Sequence, residues 1–364
     1  MYNLEDLGWN EHFQSEYEKY KAENIYPARV SNESKNRFRV ITEKGDFDAL
    51  LGDLLYKSFK YRKEFPATGD WVLVEKRANS DCLHIVKVLS RQSCFCRKLK
   101  DTFGRNFQKN GSSDQQVISA NINTVFLIVS LVYDFNLRTI ERYQILIRES
   151  GARGVILLNK ADICNNPYYK EEQVKQIAGD LPVFLISAKT GFGLDQISCY
   201  LQKGETIALI GSSGTGKSTL LNQLYGETKM EVNEVRTADN RGKHTTTHRE
   251  LSILPGGFIL IDNPGLRDIK VTGSQENLDE IFNDIVKLES QCRFSDCRHD
   301  TEPDCAVKEA IEKGILDEER LESYQKLKSE LITLQKRASD RVHKEDQKNR
   351  KQRLASVKSM TYYD

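Results

Sequence analysis

Residues 211–219 read Gly-Ser-Ser-Gly-Thr-Gly-Lys-Ser-Thr, a G-x-x-x-x-G-K-[ST] string. An apolar run, Thr206-Ile207-Ala208-Leu209-Ile210, precedes it, and a helical pattern, Leu220-Leu221-Asn222-Gln223-Leu224, follows. Strand, glycine-rich loop and helix in that order turn the string into a phosphate-binding loop. Gly211, Gly214 and Gly216 let the backbone curl closely round an anion. The N–H groups of Ser212, Ser213, Thr215 and their neighbours, with the helix N-terminus, present positive dipole to phosphate oxygens. Lys217 adds a full charge at the β- and γ-phosphates. Ser218, followed by Thr219, offers a hydroxyl to Mg²⁺, a hard ion that prefers oxygen. The alternative, a glycine-rich turn that binds nothing, does not account for the flanking strand and helix.

A chain of 364 residues exceeds one typical domain. Its net charge of +1 gives no global basic signal, so any nucleic-acid contact must come from local patches. No apolar run approaches membrane-spanning length. The N-terminus has neither a basic nor an apolar leader segment, so a cytoplasmic, reducing location is expected.

Composition divides the chain. Residues 1–24 are polar with interspersed aromatics (Trp9, Phe13, Tyr17, Tyr20), and a short helix fits them. Residues 25–99 hold short β-type runs separated by turn signals, which predicts a small barrel without helices, an OB-type fold being one candidate. Its Arg37, Phe38, Arg39, Lys57, Phe59, Lys60, Tyr61, Arg62 and Lys63 suit RNA, or equally a core and a solvated face. Residues 100–118 are a basic linker. From 119 to 273 strands alternate with helices, which predicts an α/β domain with a mostly parallel sheet and ligands at the carboxyl ends of its strands. Within it a helix is expected over about 171–178, and another before the phosphate loop. Residues 274–335 read as a helical metal-binding domain whose first helix runs over about 275–290. Residues 336–364 form a basic tail.

Two further loops follow predicted strands. Asn159-Lys160-Ala161-Asp162 carries an aspartate that can accept both the N1–H and N2–H₂ donors of guanine. Adenine has no such pair. Lys160 can lie along the base, and Asn159 can bond to the base and tie neighbouring loops together. Ser187-Ala188-Lys189 would bring a backbone N–H to guanine O6. Together with the phosphate loop these predict a GTP site. Downstream, Asp262-Asn263-Pro264-Gly265 is a D-x-x-G loop, with Asp262 facing Mg²⁺ through water and the Gly265 N–H facing the γ-phosphate. Between lies Arg241-Gly242-Lys243-His244-Thr245-Thr246-Thr247, in which Thr246 is the favoured second Mg²⁺ ligand; edge-strand composition would look similar.

Cys292, Cys297, His299 and Cys305 form C-x4-C-x-H-x5-C, a donor set suited to one closed, structural Zn²⁺ site. Free buried thiols are the alternative. The other five cysteines, including Cys94 and Cys96, lack such company and read as packing residues.

The order of these motifs is that of a circularly permuted GTPase, because the guanine loops precede the phosphate and Mg²⁺ loops. With the upstream β-domain, the GKHTTT stretch and the Cys/His cluster, the chain resembles the bacterial ribosome small-subunit-dependent GTPase A family. The resemblance implies an OB domain, a permuted GTPase domain and a zinc domain. It also implies a monomer that binds the 30S subunit and its 16S rRNA and hydrolyses GTP to GDP in late maturation of that particle. Leu266 stands where many GTPases place a water-orienting glutamine, so slow turnover is expected alone. The resemblance makes His244 the catalytic candidate; as a bare residue it serves equally as a cap for its loop. Two other readings fit the same residues. One is a GTP-switched rRNA-binding checkpoint in which hydrolysis is incidental. The other, a small-molecule kinase, sits poorly with the guanine loops.

Overall fold

The computed structural model describes residues 2–34, 37–77, 80–98, 115–226, 250–261, 274–333 and 336. They fall into two compact units, one of residues 1–97 with 117–270 and one of residues 98–116 with 271–364.

The first unit opens with helix α1 (Glu11–Tyr17), which Asn10 caps by accepting from the N–H groups of His12 and Phe13. Strands β1 (Ile25–Ser34), β2 (Arg37–Thr42) and β3 (Gly45–Leu51) follow, then helix α2 (Asp53–Ser58), then β4 (Trp71–Lys76) and β5 (Leu83–Val88). The strands close into a barrel of order β1-β2-β3-β5-β4, antiparallel except where β3 meets β5. That is the five-stranded OB-like arrangement expected. The expectation of no helix fails at α2. It buries none of its side chains and leaves Leu54 87% exposed, so no apolar stripe marks it in the sequence.

β6 (Cys94–Lys98) and β7 (Gln115–Ala120) form a two-stranded sheet. Next come β8 (Thr124–Ser130), α3 (Leu137–Ser150), β9 (Arg153–Asn159), α4 (Pro167–Ala178), β10 (Val183–Leu185), β11 (Thr206–Ile210), α5 (Lys217–Tyr225), β12 (Leu251–Ile253) and β13 (Ile259–Ile261). The sheet order is β10-β9-β8-β11-β13-β12, parallel except for β12. Every residue of β8 and β11 is buried, as a central parallel strand requires. Strand alternation feeds two cores. Val125, Leu127 and Val129 face one with Ile140, Ile147 and Val174; Phe126 and Ile128 face the other with Leu220 and Leu221. The chain builds β8, β9 and β10 outward on one side, then returns to lay β11 against β8. This reversal is the switch point where such sheets bind ligands.

Pro167 at the first turn starts α4 four residues before the expected position. Before the phosphate loop only a 3-10 turn, Asp195–Tyr200, forms in place of the expected helix. The N-terminal aromatics do more than their polar surroundings suggest. Leu7, Trp9 and Phe13 are buried in the same core as Trp71 of the barrel and Leu127 of the sheet, and Trp9 meets Trp71 edge-on at 4.7 Å.

The second unit contains α6 (Gln275–Ile281), α7 (Asn283–Glu289), α8 (Ala306–Glu312) and a helix α9 over residues 318–333. The single helix expected over 275–290 is broken at the fully buried Phe282. The apolar series Leu278, Ile281, Phe282, Ile285 keeps helical spacing across the break, so the pattern does not register it. Among the described residues no helix is long and apolar enough to cross a membrane.

Candidate functional site

The phosphate loop leaves β11 at Gly211 and enters α5 at Lys217. Gly211 (φ +143°) packs so closely on β8 that a Cβ would overlap the Ile128 carbonyl, and a Cβ on Gly216 (φ +99°) would overlap the Asn159 amide. Both glycines are there to let neighbours in, besides permitting positive φ. Thr215 folds its hydroxyl onto the Ser212 carbonyl at 3.0 Å. Lys217 turns its ammonium inward, donating to the Gly211 and Ser212 carbonyls at 2.7 and 2.5 Å. The positive charge is therefore held at the mouth of the loop rather than loose in solvent. Ser218 and Thr219 are half-buried in the first turn of α5, and Ser213 and Gly214 are exposed at the loop's crest.

Asn159 ends β9 with 2% of its surface exposed. Its Nδ2 donates to the Thr215 carbonyl at 2.7 Å, and its Oδ1 accepts from the Ala188 N–H at 2.9 Å. One donor arm and one acceptor arm fix the orientation of the amide. A single side chain thus bolts the phosphate loop to both other loops, as the sequence reading expects of it. The Ala188 N–H, a candidate for guanine O6, is committed to Asn159 in this state. Lys160 takes a left-handed conformation (φ +69°), its ammonium 4.8 Å from the centre of the Tyr133 ring. Burial lowers its pKa, against the pull of Asp162. Ala161 donates to the Ile186 carbonyl at 3.1 Å, which presents Asp162 exposed beside the Ser187 loop. Ser187 is fully buried; its carbonyl accepts from Gly191 and its N–H bonds Phe192. Lys189 is exposed. The structure therefore brings together residues 159–162, 187–189 and 211–219. Asp262, Gly265, His244, Thr246 and Leu266 lie outside the described residues. β13 runs parallel beside β11 and ends at Ile261, the residue before Asp262.

In the second unit the donor atoms of Cys292, Cys297, His299 and Cys305 all lie within 4.8 Å of one another. Cys292 Sγ is 3.9 Å from Cys305 Sγ and 3.8 Å from His299 Nδ1, and His299 Nδ1 is 3.3 Å from Cys305 Sγ. A tetrahedral ion with bonds of about 2.3 Å to sulfur and about 2.05 Å to nitrogen needs edges of about 3.8 Å (S–S) and about 3.6 Å (S–N). The three edges among Cys292, His299 and Cys305 come close to that polyhedron, and Cys297 lies within 4.8 Å of them. The cluster can hold one metal ion through four protein ligands, which leaves no open position.

The sequence reading missed the groups behind these ligands. Glu289, at the end of α7, accepts from His299 Nε2 at 3.1 Å, from the Tyr324 hydroxyl at 3.0 Å and from Lys328 at 3.2 Å. Burial pushes the Glu289 carboxyl upward, but His299, Tyr324 and Lys328 outweigh it and hold its pKa below the usual range. This carboxylate fixes the imidazole with Nδ1 toward the sulfurs. The only signal was Glu289 standing three residues before Cys292; nothing flags Tyr324 or Lys328.

A second hub joins the barrel to the sheet. Arg29 of β1 is 1% exposed and donates to the Leu7 and Asn121 carbonyls, the Gly69 carbonyl at 3.4 Å and Thr206 Oγ1 at 2.8 Å. Burial pushes its pKa down to about 9, against the pull of Asp70.

The family model described as RsgA GTPase matches residues 90–272. A second, described as 50S ribosome-binding GTPase, matches residues 206–345 and so begins at the first residue of β11. The small ribosomal subunit biogenesis GTPase RsgA of Syntrophotalea carbinolica is 40% identical over 333 residues, 91% of this chain and 90% of that protein. Its namesake from Methanosarcina acetivorans is 39% identical over 332 residues, 91% and 86% of the two chains. Among solved structures, YjeQ from Thermotoga maritima superposes with a TM-score of 0.60 at 25% identity, over 85% of this chain and 99% of that one. YloQ, described as a circularly permuted GTPase, gives 0.56 at 20% identity over 85% and 96%, a likeness of fold.

Proposed function

The chain belongs to the RsgA GTPase family and is a GTP hydrolase, and from that premise we propose that the small ribosomal subunit is both its target and its activator. The observation that carries the nucleotide site is the pair of hydrogen bonds made by Asn159, which ties three loops together at the switch point of the sheet. In this reading Asp162 accepts the two guanine donors, and the Lys160 stem flanks the base with Ala161 and the Ser187-Ala188-Lys189 loop closing its edge. Backbone N–H groups of residues 211–216 receive the phosphates. Lys217 exchanges its two carbonyl partners for phosphate oxygens, a swap that costs little because both sets are strong acceptors.

Ser218 and Thr246 would hold Mg²⁺ with Asp262 through water, and the ion would neutralise charge that develops on the transferring phosphoryl group. Gly265 would offer its N–H to the γ-phosphate. The Leu266 side chain can neither donate nor accept, so His244 is assigned to orient the attacking water when the subunit's rRNA is bound. The Cys292, Cys297, His299, Cys305 site would take one structural Zn²⁺ and stand in for apolar core that so short a segment lacks. The protein would act as a cytoplasmic monomer that binds 16S rRNA through basic patches. It hydrolyses GTP during late maturation of the small subunit, in line with the names of its relatives.

The test is GTP turnover with purified 30S particles, with 50S particles and with neither. Stimulation by 30S alone is expected, and the 50S arm addresses the particle named by the second family model. His244→Ala should retain GTP affinity and lose the stimulated rate. Equal stimulation by both particles would remove the small-subunit assignment, and an unchanged stimulated rate would remove His244.

A further inference from the structure

One cysteine pair is left unused by the nucleotide and metal sites. Cys94 and Cys96 alternate with Phe95 along β6, so both thiols share a face and Phe95 takes the other. Phe95 is buried in the core shared by barrel and sheet. The half-buried thiols lie over the small side chains of Ala67, Val117 and Ala120. Their sulfurs are 3.7 Å apart. Beside them, Arg91 is locked in place by a two-pronged ion pair with the fully buried Asp70 at 2.6 and 2.7 Å, and by the Lys63 and Phe65 carbonyls.

We propose that Cys94 and Cys96 are a redox-active dithiol, which a hydroperoxide converts to a reversible disulfide within β6. The sulfurs need to close from 3.7 Å to about 2.05 Å, with the Cβ atoms drawn to about 3.8 Å, so β6 must contract locally as its side chains rotate over small neighbours. Two residues along a strand separate their Cα atoms by about 6.6 Å. That is the long end of the range a disulfide spans, about 4.4–6.8 Å. The bond would thus form under tension and reopen readily to thiol reductants, in the manner of labile rather than structural bridges.

The surroundings divide the roles. The Cys96 S–H bond, followed by the charges of Arg91 and Lys63, outweighs burial and Asp70 and brings Cys94 down to about 7. The same bond and burial push Cys96 up. At neutral pH the pair therefore offers one thiolate and one retained proton. The Cys94 thiolate attacks a peroxide oxygen. The O–O bond breaks, and the leaving alkoxide or hydroxide takes up a proton, which leaves a sulfenic acid on Cys94. The Cys96 sulfur then attacks that sulfur, the S–O bond breaks, and the oxygen departs as water with the Cys96 proton. Two thiols and one hydroperoxide become one disulfide, one water and one alcohol or second water; the sulfurs lose two electrons and the peroxide gains them.

Trypsin cuts after Arg91 and Arg97 and releases residues 92–97, a peptide with both cysteines and no other. The full-length protein is treated with equimolar hydrogen peroxide, alkylated and mapped by mass. The peptide should lose two hydrogens and both alkyl labels, and dithiothreitol should restore them, while the exposed Cys199 stays labelled. Cys94→Ser should slow loss of the Cys96 label by about tenfold or more, as removal of the thiolate demands. Cys96→Ser should trap a dimedone-reactive Cys94. The proposal is overturned if the peptide stays doubly labelled after Cys199 has oxidised, if it passes straight to sulfinic acid, if it cross-links two chains, or if Cys96→Ser gives no dimedone adduct.

Discussion

Truncating Asn159 to alanine should weaken the protein before any nucleotide is added. The side chain is 2% exposed, and its two partners, Thr215 and Ala188, are 6% and 2% exposed. Alanine leaves a carbonyl and an N–H unpaired away from water, at about 1–3 kcal/mol each. Water entering the vacated space relieves part of this, so a loss of about 2–4 kcal/mol is expected. Asn159→Asp separates the two arms. It keeps an acceptor for the Ala188 N–H but turns an oxygen toward the Thr215 carbonyl 2.7 Å away. The aspartate variant should therefore keep the Ser187 loop in place and release the phosphate loop.

Urea unfolding of the nucleotide-free protein is the assay. The only two tryptophans, Trp9 and Trp71, lie in the core that continues into the sheet, so their fluorescence reports on this unit. Binding of a fluorescent GDP analogue is measured on the same samples. Both variants should lose stability and affinity together. If Asn159→Ala unfolds within about 0.5 kcal/mol of the parent, the range of a neutral surface change, yet loses nucleotide, Asn159 acts only on the base and the tie between loops carries no weight.

Three other outcomes follow from the same geometry. Asp162→Asn replaces an acceptor by a donor; GTP affinity should fall about 10²–10⁴-fold, the worth of two charge-assisted hydrogen bonds, and xanthosine triphosphate, with a carbonyl in place of the guanine amine, should gain in competition binding. Glu289→Gln weakens the hold on His299, so a chromogenic chelator should strip metal about 10–100-fold more easily; equal affinity would show that the imidazole is oriented from elsewhere. Arg29→Met leaves buried carbonyls without donors and should cost about 3 kcal/mol or more in urea unfolding, and Arg29→Lys should not rescue it because an ammonium lacks the guanidinium fork.

The meeting of residues 159–162, 187–189 and 211–219, and the Cys/His cluster that could hold a metal, were legible because each is a short string whose spacing is itself the chemistry. Lys217 must follow the glycines, and Asp162 must sit two residues past Lys160, whatever the rest of the chain does. The Arg29 hub was not legible, because three of its four acceptors are backbone carbonyls, of Leu7, Gly69 and Asn121. Any residue type supplies a carbonyl, so no spacing betrays the contact. The N-terminal stretch was half legible: Trp9, Phe13 and Tyr17 recur every four residues, as one helical face requires. What that face packs on, Trp71 of the barrel, lies sixty residues away in sequence and has no local signature.

The hidden contacts bear on how a barrel could influence hydrolysis. Arg29 of β1 grips Thr206, the first residue of β11, and β11 ends at the phosphate loop. Further along β1, Asn32 pairs with Glu250, immediately before β12. One barrel strand therefore touches the base of the phosphate-loop strand and Glu250, four residues past Thr246 in sequence. With the barrel sharing a core with the sheet, force applied to β1 by a docked partner has no slack linker to absorb it. A barrel so attached transmits a binding event to the start of β11 and to the residue before β12, whereas a barrel on a free tether would transmit nothing. Arg29→Met separates these cases in a readout that stability alone does not move: at a temperature where the variant is folded, its 30S-stimulated rate should fall while its unstimulated rate and GTP affinity stay at the parent's values.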